Sequence, residues 1–320
     1  MDKKIVWLFT VLFLVSATFA EAQQTGKVPR IGYLTSVGSA PNEAFLQGLR
    51  DLGYVEGKNI LIEFRTTGGK YERLPELAAE LVQRKVDVIV ADTAPEVIAA
   101  NATATIPIVM RGVADPIASG LVATLAHPGG NVTGMATLAP ELSGKRLELL
   151  KEVIPKLSRV AFLTPPSEAL RTSVKETEVA AQAMGLQLQI LQVRGADELE
   201  GAFDAMKKRR AQALMQAQAT ALLPHQPRII ELAAKNHLPT MYFSRRSVEL
   251  GGLMSYGRSG PYMDRRVASM IDKILKGTKP ADIPVEQPMK FEFMINLKAA
   301  KQIGLTIPPN VLARADKVIK

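Results

Sequence analysis

From Arg30 onward the chain alternates short apolar runs with longer stretches in which apolar residues recur every three or four positions. The short runs read as strands and the longer ones as amphipathic helices. Strands are predicted at Arg30 to Thr35 (RIGYLT), Ile60 to Phe64, Val86 to Ala91 (VDVIVA) and Ile106 to Met110. Helices are predicted between them, at Asn42 to Leu52 with a stop at Gly53, at Arg73 to Arg84, and at Pro95 to Ala100. A Gly-rich passage, PGGNVTG (Pro128 to Gly134), interrupts the series, and the alternation then restarts. Helix Leu142 to Val153, strand Arg159 to Leu163, helix Leu170 to Met184 and strand Leu186 to Val193 come first. Helix Leu199 to Lys208, strand Ala213 to Gln216, helix Pro227 to Asn236 and strand Pro239 to Phe243 follow. Near-continuous apolar strands separated by helices imply parallel sheets covered on both faces, so the pattern predicts an α/β chain of two successive lobes. A strand at Gly252 to Tyr256, a helix at Met263 to Leu275 and a strand at Phe291 to Ile295 are left over, and would be shared between the lobes.

In open parallel sheets the loops after the carboxyl ends of the strands form the binding crevice. Those positions are Thr35 and Ser36, Asp92 to Ala94, Arg111 to Asp115 and Thr137 in the first lobe. In the second they are Thr164 to Ser167, Arg194, Gln216 to Gln218 and Tyr242 to Arg245. Where a strand end runs into a helix N-terminus, as expected at Ser36 and Thr93, free N–H groups favour an anion such as a carboxylate. Each such hydroxyl serves equally as an ordinary helix cap. Arg111 has the planar fork that binds a carboxylate with two donors, or it is a structural arginine. Asp115 before Pro116 either accepts from a ligand amino group or caps a helix starting there. Tyr242, Phe243 and Tyr256 offer an apolar wall, or core.

The N-terminus adds a compartment. Lys3 and Lys4 precede a 16-residue apolar run, Ile5 to Ala20, that ends in small residues with Ala20 and Ala22 as an A-x-A site before Gln23. That run is shorter than the ~20 residues of a membrane span and has the build of a cleaved secretory signal over residues 1–22. The absence of cysteine excludes disulfides, thiol catalysis and a lipid anchor on Cys, so a soluble, exported protein is expected. The 40 Lys+Arg against 31 Asp+Glu leave a charge of +9, but the basic residues are scattered. With export and no basic stripe interleaved with aromatics, no nucleic-acid partner is expected.

Enzyme chemistry finds little support. His127, His225 and His237 are dispersed, without H-E-x-x-H or a Cys/His cluster, so no metal site is expected. No G-x-S-x-G elbow occurs, and Thr-Ser-Val-Gly-Ser-Ala-Pro after the first strand is not a dinucleotide fingerprint. Ser143-Gly144-Lys145-Arg146 looks faintly like a phosphate loop but lacks the upstream Gly and the hydroxyl residue after Lys. No catalytic residue and no cofactor are expected.

Six strings carry a resemblance: GYVEGKNI (Gly53 to Ile60), LPELAAELVQRKVDVIVA (Leu74 to Ala91), DPIASGLVATLAHPGGNVTG (Asp115 to Gly134), ELSGKRLELLKEVIP (Glu141 to Pro155), GGLMSYG (Gly251 to Gly257) and KPADIPVEQPMKFEFMINLKAAKQIGLTIPP (Lys279 to Pro309). With them the chain, from about Val28 to Lys320, closely resembles the periplasmic substrate-binding proteins of ABC transporters, in the group that includes tryptophan/tyrosine-uptake-like proteins. The resemblance implies a type I periplasmic-binding fold, two Rossmann-like lobes joined by three crossing segments near Thr137, Tyr256 and Pro284 to Pro288. Lobe one is then 28–136 plus about 257–285, and lobe two 137–256 plus about 286–320. It implies a small amino-acid-like or carboxylate ligand held by lobe closure, an ABC permease with its cytoplasmic ATPase as partner, and a monomer. The alternative role is a periplasmic sensor that presents its closed form to a membrane receptor. At Asp92-Thr93, Thr164-Pro165-Pro166 and Gln218-Ala219 the chain departs from the family's usual Gly-rich turn, Asn-Pro and Asp-Pro, so the resemblance alone does not carry over an aromatic amino acid. The expected ligand set is Thr35, Ser36, Thr93, Ala94, Arg111, Asp115, Thr137, Thr164, Gln216, Gln218, Tyr242 and Tyr256.

Overall fold

The computed structural model describes residues 27–320 except 37, 39, 93–95, 114 and 138–140. The expectations for the leader segment, Thr93 and Ala94 therefore lie outside the described residues.

The first sheet holds five parallel strands, β1 (Arg30–Thr35), β2 (Leu61–Thr66), β3 (Val88–Asp92), β4 (Ile108–Val113) and β5 (Val132–Ala136), in the order β2-β1-β3-β4-β5. Its helices are α1 (Glu43–Asp51), α2 (Leu74–Gln83) and α3 (Glu96–Ala102). Along β3, Val88 and Val90 pack with Phe45 of α1, while Ile89 and Ala91 pack with Leu77 and Leu81 of α2. Both faces are covered, as continuous apolar strands require. The Asn42 side chain caps α1 by accepting from the Phe45 amide at 2.9 Å. The helix ends before Gly53, whose φ of +90° an L side chain rarely adopts. Burying Phe45 and Leu49 on that helix is worth about 1.5–3 kcal/mol each.

β5 is the strand that the periodicity passed over as a Gly-rich passage. All five residues, VTGMA, are buried. Gly134 takes φ +136°, and a Cβ there would collide with the Met110 backbone of β4. The glycine is thus what lets β5 approach β4, which a reading of glycine as loop punctuation misses.

The second sheet has seven strands in the order β12-β11-β10-β9-β8-β6-β7: β6 (Arg159–Thr164), β7 (Gln187–Gln192), β8 (Ala213–Gln216), β9 (Thr240–Tyr242), β10 (Met254–Arg258), β11 (Phe291–Asn296) and β12 (Lys317–Ile319). Among the described strands only β10 and β11 pair antiparallel. Helices α4 (Glu141–Val153) and α5 (Arg171–Ala183) cover one face, with Leu147 and Leu150 against Val160, Phe162 and Met215. Helices α6 (Leu199–Lys208) and α7 (Gln226–Lys235) cover the other, where Phe203 and Ile229 meet Ala161, Leu163 and Leu214. A short α8 (Arg245–Glu249) follows β9.

The leftover elements fall to both lobes. β10 and β11 both join the second sheet. Helix α9 (Gly260–Leu275) returns to the first, where Met263, Val267 and Ile271 join Ile31, Phe45 and Val109 in one cluster. The chain then passes back to β11, α10 (Leu297–Gln302), α11 (Pro309–Leu312) and β12. The three passages lie against one another. Ala136 N donates to Glu286 O at 2.8 Å, Glu286 N donates to Gly134 O at 2.9 Å, and Ser259 N donates to Lys290 O at 2.9 Å. Arg266 of α9 grips the Glu286 carboxylate with two donors, Nε at 2.7 Å and Nη2.

Candidate ligand-binding site

The passages fix which edges of the two sheets meet. β5 runs parallel to its lobe's strands and β10 runs parallel to β9, so Ala136 and Arg258 each mark a carboxyl edge. A Cβ on Gly112, at the end of β4, would touch the Arg258 guanidinium at 2.8 Å and Thr137 at 3.1 Å. The strand ends of lobe one thus abut the strand end of lobe two from which α9 departs. In parallel sheets the loops after the strand ends form the binding crevice, and a crevice bounded by two such sheets can enclose a ligand.

On the lobe-one side, Thr35 and Ser36 are buried. They are stitched to the loop after β2: Thr67 N donates to Thr35 O at 3.2 Å, and the Thr67 hydroxyl donates to Ser36 O at 3.0 Å. The cap of the following helix is Asn42, not Ser36. Thr137 is buried, and its amide donates to Val113 O at 2.6 Å. Asp115 is exposed and accepts from the Ile117 and Ala118 amides at 3.1 and 2.9 Å, so it caps a turn where a helix was the alternative expected.

Arg111 is engaged within lobe one. Its Nη1 donates to Asp92 at 3.1 Å and its Nε to Asp264 of α9. Burial works against its charge, but Asp92 and Asp264 more than offset it and hold the guanidinium well above its usual pKa. Tyr33, whose hydroxyl donates to Asp92 at 3.3 Å, is raised far above the usual phenol range by burial and then by Asp92. Two carboxylates around one guanidinium leave no surplus positive charge here for a ligand carboxylate.

On the lobe-two side, Thr164 is buried and its hydroxyl donates to Pro165 O at 3.2 Å. Gln216 is fully buried, and neither polar atom of its amide finds a partner. Gln218 is half-buried. Tyr256 is half-buried, stacked on Phe291 at 6.1 Å and edge-on to Phe293 at 6.4 Å. Tyr242 is not on the rim. It is 1% exposed within the α6 and α7 cluster, with its ring closed over Gly252, where a Cβ would strike it. Burial raises its phenol above the ordinary range. Its place at a strand end was legible, but side chains alternate along a strand, and this one points to the covered face.

A residue that the strand-end argument does not reach is Arg146 of α4. Only 4% exposed, it donates from Nε to Tyr256 O at 2.7 Å, and its Nη2 is buried without a partner. No carboxylate among the described residues pairs with it. Burial pushes its pKa down to about 10. A signal for it exists: Leu142, Arg146, Leu149 or Leu150, and Val153 form one helical stripe, so the arginine occupies an apolar position. A groove of about 1260 Å³ opens nearby, lined by Gly144, Pro165, Ser167, Glu168, Arg171 and Gln192 among others. It runs along the flank of α5 and includes none of the lobe-one rim. Among the described residues no His, Cys, Asp or Glu cluster is placed to hold a metal, and no helix is long and apolar enough to cross a membrane.

A family model for ABC transporter substrate binding proteins matches residues 39–319. The chain belongs to that family. As a member it carries an extracytoplasmic, substrate-binding role. This binding protein is 27% identical over 272 residues to a tyrosine-binding protein of Clostridioides difficile, covering 82% of this chain and 76% of that one. It is 28% identical to an ABC domain from Streptococcus pneumoniae solved in complex with L-Trp, with a TM-score of 0.81 and coverage of 92% and 100%. It is 25% identical to the ligand-free, open structure of CD0873, a substrate-binding protein with adhesive properties from Clostridium difficile, with a TM-score of 0.69 and coverage of 92% and 99%. The fold of the binding protein is the type I periplasmic-binding fold.

Proposed function

We propose that the protein is the periplasmic capture component of an ABC uptake system for an amino-acid-like ligand, with an aromatic amino acid as the first candidate. The observation that carries this reading is the likeness, over 92% of the chain, to a protein solved with L-Trp, joined to a fold in which the strand ends of the two lobes meet at the passages. The ligand binds between the lobes, 28–136 plus about 257–285 and 137–256 plus about 286–320, and draws them together about the three passages. Closure needs only that the ligand touch both lobes better in the closed state. Thr35, Ser36, Asp115 and Thr137 line the site from lobe one, and Thr164, Gln216, Gln218 and Tyr256 from lobe two. Arg111 supports the lobe-one side through Asp92. Residues 1–22 serve as a cleaved export signal, the protein acts as a monomer, and the closed form is read by an inner-membrane permease with its cytoplasmic ATPase.

A thermal-shift and calorimetry panel of L-tryptophan, L-tyrosine, other amino acids, short carboxylates and sugars tests the reading. A cognate ligand at a hundred times its Kd adds about 2.7 kcal/mol, a plain rise in Tm. A panel in which sugars bind and amino acids do not overturns the ligand class. No shift with any member overturns the capture role.

A further inference from the structure

Among the described residues, Arg146 is a buried cation with no carboxylate paired to it. Leu147 and Leu150 on α4 are packed into the lobe-two core, and Arg146 on the same helix is drawn under cover with them. Of its donors, Nε is used by Tyr256 O, and Nη2 is left inside the protein unbonded. A lone buried donor costs about 1–3 kcal/mol, and more when it carries charge. A hydrophobic residue at this stripe position would avoid the cost, so the guanidinium needs a use other than holding the helix down.

Its position suggests the use. α4 is the first helix after the passage from β5, and Tyr256 O lies at the second passage, where β10 leaves for α9. Nη2 stands 3.9 Å from the place a Cβ on Gly257 would take, and that glycine leaves room for the Phe243 carbonyl at the end of β9. The unbonded donor thus lies at the carboxyl edge of lobe two, where the passages meet. Lobe one, by contrast, has its own arginine tied to Asp92 and Asp264. We propose that Arg146 is the anchor for the ligand's carboxylate, reached when the lobes swing apart and covered when they close. This rests on the amino-acid reading above and names the group that selects an acid over the corresponding amine. A guanidinium serves better here than an ammonium, because with Nε on the backbone it still presents nitrogen donors to a carboxylate.

The test compares matched pairs, L-tryptophan with tryptamine and L-tyrosine with tyramine, by calorimetry on the full protein and its Arg146→Met and Arg146→Lys variants. Wild type should prefer each amino acid over its amine. Arg146→Met should weaken the amino acids about 100-fold or more while leaving the amines within about threefold, and Arg146→Lys should fall between. An arginine that merely props the second passage would lower acid and amine together, and that result overturns the assignment, as does an unchanged preference in Arg146→Met. Melting curves of both variants accompany the titrations, so that a folding defect is seen directly and the Lys variant decides. Failure of wild type to bind either amino acid strikes the amino-acid reading itself, and this inference with it, whereas wild-type binding with intact variant selectivity strikes only Arg146.

Discussion

Two arginines near the passages make an instructive pair. Arg111 in lobe one is a fifth exposed and is enclosed by Asp92 and Asp264; Arg146 in lobe two is more deeply buried and has one backbone carbonyl. By residue type both qualify as carboxylate receptors. Their surroundings separate them: where the fold supplies the counter-charge the arginine is framework, and where it withholds the counter-charge the arginine remains available. A cation's bonding vacancy therefore says more about ligand binding than its closeness to a strand end.

The comparison can be broken experimentally. The largest effect is expected from Arg111→Met, which takes the guanidinium away from the buried Asp264 and should cost about 3–5 kcal/mol in urea unfolding. Adding Asp264→Asn should recover part of the loss. If Arg111→Met melts like wild type, the framework role is wrong. An intermediate effect belongs to Gly257→Ala, whose Cβ would run into the Phe243 carbonyl beside Arg146; about 1–3 kcal/mol is expected, read from the same melts. The smallest is Arg146→Met without ligand, which should leave the melting midpoint unchanged or raise stability by about 1 kcal/mol, since a desolvated donor is removed with its charge. A large destabilisation there would make the two arginines alike and erase the contrast.

Much of the architecture was legible in the chain. Two-sided sheets need apolar strands and amphipathic helices, and both leave a period, which is why β1, α1 and β6 begin and end close to where the pattern places them. β5 was illegible because its central residue, Gly134, is selected for backbone approach to Met110 and not for its side chain. The site was legible as a set of strand ends and less so as side chains. Asp115 and Thr137 lie at the loops expected, yet Tyr242 faces the core because the strand's twofold alternation decides its side. Arg111 was expected just after a strand ending at Met110, but β4 runs through it to Val113, and Asp264, more than 150 residues later, settles its state. Arg146 fell outside a search confined to strand ends, although a charge on an apolar stripe was present in α4 from the start.

The course of α9 also governs the order in which the protein can be made. The face of the first sheet formed by Ile31, Val88, Val90 and Val109 is closed by Met263, Val267 and Ile271, which are synthesised more than a hundred residues after β5. Until then the part of that face not covered by α1 is apolar surface of the kind that draws chains into aggregates. Lobe two's inner strands, β6 to β9, lie in one uninterrupted stretch and can assemble meanwhile, so the lobe begun first is completed late. A holding chaperone, or export of the chain before it folds, would have the most to protect in the N-terminal third.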